Sequence, residues 1–250
     1  MIKSEIINNT AIITFSRPEK RNAIHPFMVE QIKTKLVEYE KNDSVKSLII
    51  TGEGNSFSAG ADLEYLKMLA DYSVIENYND SKSLAELFLM LYEFPKPTIA
   101  AVNGFAIAGG CGVASTCDFI VANPEKSKFG YTEIKIGFIP AIVSIFLIKK
   151  IGEGLAKQLL LEGELISGKR AYEIGFVNYL ADNVLEEAMK LADRINSNSK
   201  ESFRMTKQMI NNISNLSVRE AVNYCIGLNT ISRSTDDFKN GIESFLDRDK

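Results

Sequence analysis

Short apolar runs of strand length recur through the first half of the chain. Residues 2–7 and 11–15 flank the pair Asn8-Asn9, which predicts a β-hairpin. Residues 45–51 and 97–102 are richer in apolar side chains, and the second run is typical of a strand buried on both faces. Two further short strands are predicted at residues 118–122 and 128–132.

Helical spacing of apolar residues begins at Pro26, whose fixed φ suits the first position of a helix. One face of this predicted helix carries Met28, Ile32, Leu36 and Tyr39. After about Gly152 the pattern is almost entirely helical. The helices predicted there are residues 155–161, 168–173, 185–196, 200–212, 218–230 and 236–247.

The strand, turn and helix rhythm of the first half predicts crossover units in a mostly parallel sheet, an α/β fold. Ser217 and Glu220 form a capping-box pattern that marks one later helix start. We divide the chain into a core at 1–195 and a helical region at 196–250, which packs on the core or on a neighbouring subunit. Residues 71–83 are polar and are predicted to form a mobile lid, with residues 75–92 at most partly helical.

Composition narrows the function classes. The 250 residues are 45% hydrophobic and 24% charged, with a formal net charge of -3 and no concentrated basic patch, which argues against a nucleic-acid surface. The first residues lack a signal-peptide pattern and no apolar run has the length of a membrane span, so we expect a cytoplasmic protein. Three cysteines lack metal-ligand spacing, and His25 is the only histidine, which excludes histidine-based zinc sites and triads.

Two glycine-bearing segments, residues 58–63 and 103–112, carry the candidate chemistry. Each follows a predicted strand and opens a predicted helix, so each presents unpaired backbone N–H groups at a helix N-terminus. Two such ends directed at one point would form an oxyanion hole. The alternative for either segment alone is a tight turn that needs positive φ.

The second segment also invites comparison with nucleotide-binding loops. A P-loop requires Lys and then Ser or Thr after its second glycine, but Gly109 is followed by Gly110 and Cys111. The run Gly110-Cys111-Gly112 before Ser115 lacks the third glycine of a dinucleotide fingerprint. Neither a P-loop nor a dinucleotide-binding site would give the first glycine segment a role.

Glu133 is the candidate proton-transfer group. Its apolar neighbours, Ile134, Ile136, Phe138 and Ile139, would raise its pKa if they bury it, and the alternative is a solvated surface carboxylate. His25 is interpreted as a helix-entry residue and Asp118 as a structural hydrogen-bonding group. The cluster Arg17, Lys20 and Arg21 is consistent with either a solvated turn or a phosphate-binding site.

Taken together, these segments resemble the crotonase family, also called the enoyl-CoA hydratase/isomerase family. The resemblance covers nearly the whole chain. The matching stretches are residues 17–23, 57–63, 96–104, 108–111, 117–118 and 129–130, with Glu133, Gly137 and the helical C-terminus.

The resemblance implies a spiral of ββα units and a C-terminal helical region that forms trimers, often paired into hexamers. It implies that the N–H groups of Ala61 and Gly109 hold the thioester oxygen of an acyl-CoA, with no cofactor beyond the coenzyme A of the substrate. Acyl-CoA contacts implied in the same way are Lys20, Arg21, Ala23, Ala59, Asp62, Leu63, Gly110 and Thr132, with Phe245 and Arg248 reaching a neighbour's coenzyme.

Two departures from the family pattern leave the reaction open. Two-acid hydratases of this family carry a second glutamate where this chain has Gly112, and a single Glu133 is similar to the arrangement in Δ3,Δ2-enoyl-CoA isomerases. Residues 137–144 lack the family's usual glycine run, which with Gly112 resembles hydratases of branched or carboxylated substrates such as methylglutaconyl-CoA. Ile142 and Val143 either shape the acyl pocket or simply pack.

We therefore expect an acyl-CoA enzyme that moves protons through Glu133, and the overall resemblance favours a 2-enoyl-CoA hydratase, whereas the single carboxylate favours an isomerase. Water would then be activated by Glu133, by another group or by a carboxylate of the substrate itself. A Δ3,Δ2-enoyl-CoA isomerase is the first alternative. A paralogue without catalysis, acting as a binding or scaffold subunit, is the second.

Overall fold

A computed structural model describes residues 1–247. Ten strands and ten α-helices lie within this range, together with two short 3-10 helices, Pro18–Lys20 and Glu133–Ile136. The strands are β1 (Ile2–Ile7), β2 (Thr10–Phe15), β3 (Ser47–Gly52), β4 (Ser56–Ser58), β5 (Thr98–Val102), β6 (Phe105–Ile107), β7 (Phe119–Ala122), β8 (Lys128–Gly130), β9 (Ile166–Ser167) and β10 (Tyr179–Leu180). The helices are α1 (Pro26–Lys41), α2 (Leu63–Leu69), α3 (Val74–Tyr92), α4 (Gly109–Thr116), α5 (Ala141–Glu162), α6 (Gly168–Glu173), α7 (Val184–Asn196), α8 (Lys200–Ile213), α9 (Val218–Ser232) and α10 (Asp236–Asp247).

Six strands form the larger sheet, in the order β1-β2-β3-β5-β7-β10. The β1–β2 hairpin is antiparallel, and every other pair in this sheet is parallel. Both the hairpin and the mostly parallel sheet predicted from the sequence are therefore confirmed. β3 and β5 are buried along their whole length, as their apolar sequences require.

A smaller sheet has the order β4-β6-β8-β9, in which the first three strands are parallel. β4, β6 and β8 each follow a strand of the larger sheet after a connection of a few residues, at 53–55, 103–104 and 123–127. Helices then follow, so the chain repeats a strand-strand-helix unit. This repeat confirms the predicted ββα architecture.

The helices cover both faces of the larger sheet. Met28, Ile32, Leu36 and Tyr39 of α1 are buried in the main core, as predicted from their spacing. α7 covers the opposite face, where Ala188 and Leu191 pack with apolar residues of β2, β3 and β5. Among residues 1–247, no helix is long and apolar enough to cross a membrane.

Asp118 connects the C-terminal helices to the sheet. Its Oδ2 accepts hydrogen bonds from the Thr98 amide and hydroxyl and lies 2.8 Å from Nζ of Lys207 on α8. The predicted structural role of Asp118 is confirmed. We expect Lys207→Met to lower the free energy of unfolding by about 2 kcal/mol, because it leaves a largely buried carboxylate without its cation. Urea denaturation would measure this loss, and an unchanged midpoint would contradict it.

The prediction that residues 75–92 are at most partly helical is wrong, whereas the lid at residues 71–83 stays a prediction. α3 runs without interruption from Val74 to Tyr92 and begins with a capping box between Ser73 and Glu76. Only its second half is buried, through Leu87, Phe88 and Leu91. The first turns face solvent, and their polar sequence reflects exposure of a regular helix.

Candidate active site

Ala61, Gly109 and Glu133 follow the carboxyl ends of three neighbouring parallel strands. Ala61 lies three residues after β4, Gly109 two residues after β6, and Glu133 three residues after β8. Because these strands are adjacent, at a spacing of about 4.8 Å, their ends lie along one edge of the smaller sheet. The structure thus brings together the three residues predicted to be catalytic.

The orientation of the Ala61 amide follows from its peptide plane. Ala61 forms an isolated parallel bridge with Ile24. Gly60 O accepts a hydrogen bond of 2.7 Å from the Ile24 amide, and that carbonyl shares a peptide unit with the Ala61 N–H. In a planar trans peptide the two groups point in opposite directions. The Ala61 N–H therefore points away from Ile24 and takes no part in the bridge.

The same reasoning applies to Gly109. Ala108 O, in the peptide unit of the Gly109 amide, accepts a hydrogen bond of 3.0 Å from the Gly112 amide within the first turn of α4. The Gly109 N–H therefore points out of the helix N-terminus, where it has no intrahelical acceptor and favours negative charge. Ala108 holds this turn at φ 50° and ψ -117°, a conformation that costs about 1–3 kcal/mol for a residue other than glycine.

Two glycines let the segments approach each other closely. A Cβ on Gly60, which has φ +85°, would lie 2.8 Å from Ile107 O and 3.5 Å from Gly109 N. A Cβ on Gly110 would lie 2.5 Å from Ser58 O. Since the Ala61 nitrogen is three bonds from the Gly60 Cβ position, the two amide nitrogens lie within about 7 Å of each other. This approach fits two N–H donors that share one ligand oxygen.

Glu133 is buried beside these donors. The residue is 8% exposed, and its Oε2 has no hydrogen-bond partner within the described residues. Burial raises the pKa of the Glu133 carboxyl above its ordinary value. An unpaired buried carboxyl oxygen of raised pKa is suited to accept and return a proton.

The surroundings of Glu133 differ from the sequence-based expectation. Ile134, Ile136, Phe138 and Ile139 are all exposed, by 44 to 69%, although Glu133 beside them is buried. Glu133 instead begins the 3-10 helix that follows β8, with Thr132 as the capping residue. The predicted direction of the pKa shift is confirmed, but the four neighbours named for it are not themselves buried.

Gly112 lies on α4 one turn after Gly109, against two apolar side chains. A Cβ on Gly112 would lie 2.5 Å from Cγ1 of Val143 and 2.8 Å from Cζ of Phe88. Phe88 is fully buried, and Val143 is 5% exposed. A second carboxylate at Gly112 would therefore have no room, and apolar groups occupy the space beside it.

The turn formed by residues 17–24, hereafter the 17–24 turn, packs along the first glycine segment. The Arg17 guanidinium lies 2.8 Å from Asp62 Oδ2, and Asn22 donates hydrogen bonds from Nδ2 to Glu53 O and Ser56 O. Asp62 also accepts a hydrogen bond from the Glu64 amide and caps α2, the helix that the first glycine segment was predicted to open. Sequence reasoning placed Arg17 only in a basic cluster and assigned Asn22 no role.

The residues that the resemblance implied as acyl-CoA contacts are distributed unevenly. Lys20, Arg21 and Ala23 belong to the 17–24 turn and so lie beside Ala59, Asp62 and the exposed Leu63. Lys20 pairs with Glu64 at 2.8 Å, Gly110 is buried beneath β4, and Thr132 precedes Glu133. These roles stay predictions.

The pair Phe245 and Arg248 is placed differently. Phe245 lies on α10 and is 66% exposed, and Arg248 falls outside the described residues. His25 accepts a hydrogen bond from the Phe27 amide at the start of α1, which confirms its role at a helix entry. Within residues 1–247 no cluster of side chains has the composition of a metal site.

Residues 5–250 match the family model described as "Enoyl-CoA hydratase/isomerase". The chain belongs to this family. The match includes both glycine segments and Glu133, so the enoyl-CoA hydratase/isomerase assignment covers the whole candidate site.

Relatives in the family extend over the full chain. A Thermus thermophilus protein named "Putative enoyl-CoA hydratase" is 39% identical over 242 residues, covering 96% of this chain and 95% of its own. The 2,3-dehydroadipyl-CoA hydratase of Escherichia coli is 32% identical, with coverages of 95% and 92%. A crystal structure of an enoyl-CoA hydratase from Polaromonas sp. JS666 superposes with a TM-score of 0.94 at 30% identity, covering 99% of this chain and 97% of that one.

Proposed function

We propose that this family member is a 2-enoyl-CoA hydratase in which Glu133 is the acid-base residue and Ala61 and Gly109 supply the oxyanion hole. One observation carries the proposal, namely that these three residues follow the ends of three adjacent parallel strands. The names of the relatives support hydration of a 2-enoyl thioester. The substrate supplies the coenzyme A, so the proposal includes no separate cofactor.

The proposed reaction requires one carboxylate. Glu133 takes a proton from water as the water oxygen bonds to C3, and the electrons of the C2=C3 bond move to form an enolate. The N–H groups of Ala61 and Gly109 stabilise the enolate oxygen, and such a donor is worth about 3 kcal/mol in the transition state. The Glu133 carboxyl then delivers its proton to C2, which completes the addition of water.

Isomerisation is a second candidate, favoured by the apolar wall at Gly112. Glu133 would remove a proton from C2 of a 3-enoyl-CoA and return it to C4, while the same amides hold the enolate. Isomerisation adds no water, so it needs no second carboxylate at position 112. Phe88 and Val143 fill the space that such a carboxylate would occupy. The two reactions share every residue named above and differ only in substrate and product.

A substrate panel separates these reactions. We expect turnover of straight, branched or carboxylated 2-enoyl-CoA esters with a gain of one water in the product mass. The protein would instead be an isomerase if it converts 3-enoyl esters to 2-enoyl esters at unchanged mass and hydrates no 2-enoyl ester. The E. coli relative's name motivates the carboxylated members of the panel, methylglutaconyl-CoA among them.

The pH dependence of turnover tests Glu133 as the base. Both reactions start from the ionised carboxylate, and burial raises its pKa. We expect kcat/KM, which reports the free enzyme, to fall as pH decreases through this raised pKa, so that the acid limb lies above the ordinary glutamate value of about 4.3. A limb at or below that value, measured with a substrate stable across the range, would contradict the assignment.

The proposal also includes a homotrimer or a hexamer. Apolar side chains at Ile136, Phe138 and Ile139, and others on α9 and α10, are exposed in the single chain and suit contacts between subunits. Light scattering coupled to size exclusion should give a mass of three or six times 27.8 kDa. A monomer or dimer at micromolar concentration would refute this part.

A further inference from the structure

The 17–24 turn is held by its own hydrogen bonds. The Arg17 amide donates to Asn22 Oδ1 at 2.9 Å, and the Asn22 amide donates back to Arg17 O at 2.9 Å. Arg21 and Asn22 have φ values of 50° and 56°, which reverse the chain direction here. Asn22 is fully buried, so the turn forms part of the packed interior on this side.

Three backbone hydrogen bonds join this turn to the first glycine segment. The Ala59 amide donates to Arg21 O, the Ile24 amide to Gly60 O, and the Asp62 amide to Ile24 O, at 3.0, 2.7 and 3.0 Å. The second of these bonds sets the plane of the peptide that carries the Ala61 N–H. Any movement of residues 59–62 away from the turn would therefore rotate this donor.

The Arg17 guanidinium connects the 17–24 turn to the first glycine segment. Nη1 donates to Ala23 O at 2.9 Å on the turn, and Nη2 donates to Asp62 Oδ2 at 2.8 Å on the glycine segment. The planar fork of arginine holds two acceptors in a fixed relation, which a lysine ammonium does less well. Asp62 Oδ1 meanwhile accepts from the Glu64 amide, which joins the same carboxylate to the start of α2.

Burial makes this pair unlike the surface pairs of the chain. The side chains of Arg17 and Asp62 are 12% and 6% exposed, whereas those of Lys20 and Glu64, next to them, are 43% and 81% exposed. Hydrogen bonding from Arg17 lowers the pKa of Asp62, so the carboxylate is ionised at neutral pH. Removal of the guanidinium would leave a buried charge that gains stability by moving toward water.

We propose that the Arg17–Asp62 ion pair is a positioning device for the oxyanion hole. It keeps residues 59–62 against the 17–24 turn and thereby holds the Ala61 N–H in the direction of the thioester oxygen. The inference rests on the proposed function, because it assigns the pair to the donor that polarises the substrate. Arg17 itself touches no reacting atom in this scheme.

Kinetics provide the first test. For Arg17→Met we expect kcat to fall by about ten- to a hundredfold with KM changed by less than about threefold, because a misplaced donor weakens transition-state stabilisation. Arg17→Lys should fall between this variant and wild type. Lys207→Met is the matched control, since it breaks another largely buried ion pair, with Asp118, remote from the site; its kcat should stay within about twofold of wild type.

A binding experiment isolates the donor from the chemistry. A conjugated dienoyl-CoA bound to the Glu133→Gln variant should absorb at longer wavelength than the free thioester, because the two amides polarise its carbonyl. Adding Arg17→Met should reduce that shift by about half or more at saturating ligand. Asp62→Asn removes the charge and leaves one oxygen for the two donors, Arg17 and the Glu64 amide, so it should also reduce the shift, by less than Arg17→Met does. It is the second variant if Arg17→Met fails to fold, and an unaltered shift in it would overturn the positioning role.

The outcomes distinguish the two proposals. An unaltered shift and a kcat within threefold of wild type for Arg17→Met would overturn the positioning role, as would an equal loss of kcat in Lys207→Met. Absence of turnover in the wild type, or no shift in Glu133→Gln, would overturn the proposed function instead. The spectral measurement requires binding alone, so it does not depend on which enoyl reaction the protein performs.

Discussion

Replacing Glu133 by glutamine should abolish turnover while stabilising the folded protein at neutral pH. The amide is nearly isosteric but cannot accept a proton from water or from C2, so we expect kcat to fall by about a thousandfold or more. Acyl-CoA binding should be nearly unchanged, since Ala61 and Gly109 keep their donors. Turnover within tenfold of wild type would contradict the role of Glu133.

The stability change follows from the raised pKa. Burial disfavours the ionised form in the folded state, so the wild type loses stability as pH rises from the unfolded-state pKa through the folded-state pKa. Glu133→Gln removes this loss and should unfold at higher urea than wild type at pH 7. The difference should vanish at pH values where Glu133 is protonated in both states.

Glu153→Gln is a suitable control for this experiment. The carboxylate of Glu153 is exposed and pairs with Lys157, which lowers its pKa. Its replacement should leave kcat unchanged and should not raise the free energy of unfolding at pH 7. A stability gain of equal size in both variants would mean that burial of Glu133 is not the cause.

Gly112→Glu should destabilise the protein and should not by itself raise hydration of a 2-enoyl-CoA. The new Cβ would meet Val143 and Phe88 at 2.5 and 2.8 Å, and the carboxylate would enter an apolar region without a partner. We expect a loss of at least about 3 kcal/mol in the free energy of unfolding. Comparison of urea midpoints for wild type, Gly112→Ala and Gly112→Glu would measure it.

Removing the two contacting atoms makes the same substitution informative about chemistry. Phe88→Leu with Val143→Ala deletes both Cζ and Cγ1, and this double variant is the proper background for Gly112→Glu. If water activation limits the reaction, the triple variant should hydrate crotonyl-CoA faster than the double variant. A folded triple variant that hydrates crotonyl-CoA no faster than the double variant would show that a second carboxylate is not what the site lacks. A Gly112→Glu single variant that folds and hydrates faster than wild type would contradict the steric argument.

The strands and the glycine segments could be predicted from local patterns. β5 is an apolar run followed directly by the second glycine segment, residues 103–112, and both signals lie within about fifteen residues of sequence. The register that brings Ala61 next to Gly109 cannot be predicted from local patterns, because it depends on the pairing of β4 with β6, which are about fifty residues apart in the sequence. Only the family resemblance, which rests on whole-chain similarity, indicated that the two segments converge.

Burial was the least predictable property. The sequence suggested that Ile134, Ile136, Phe138 and Ile139 bury Glu133, yet those four side chains are exposed while Glu133 is buried. Arg17 and Asn22 look like ordinary polar turn residues in the sequence, and only their long-range partners reveal their importance. The full length of α3 was not predicted, because the first half of this helix faces solvent and therefore carries no periodic apolar pattern.

The arrangement of the site on separate strand ends has a consequence for how such a protein could change its chemistry. In the proposed site the two amide donors belong to the backbone at two strand ends, and the proposed acid-base group is a side chain at the end of a third strand. If the proposed roles hold, a change at position 133 would leave both amide donors in place, and these could stabilise an enolate for a reaction with a different proton donor, electrophile or leaving group. New reactivity could therefore arise by single substitutions at one strand end, without rebuilding the framework that binds the acyl thioester.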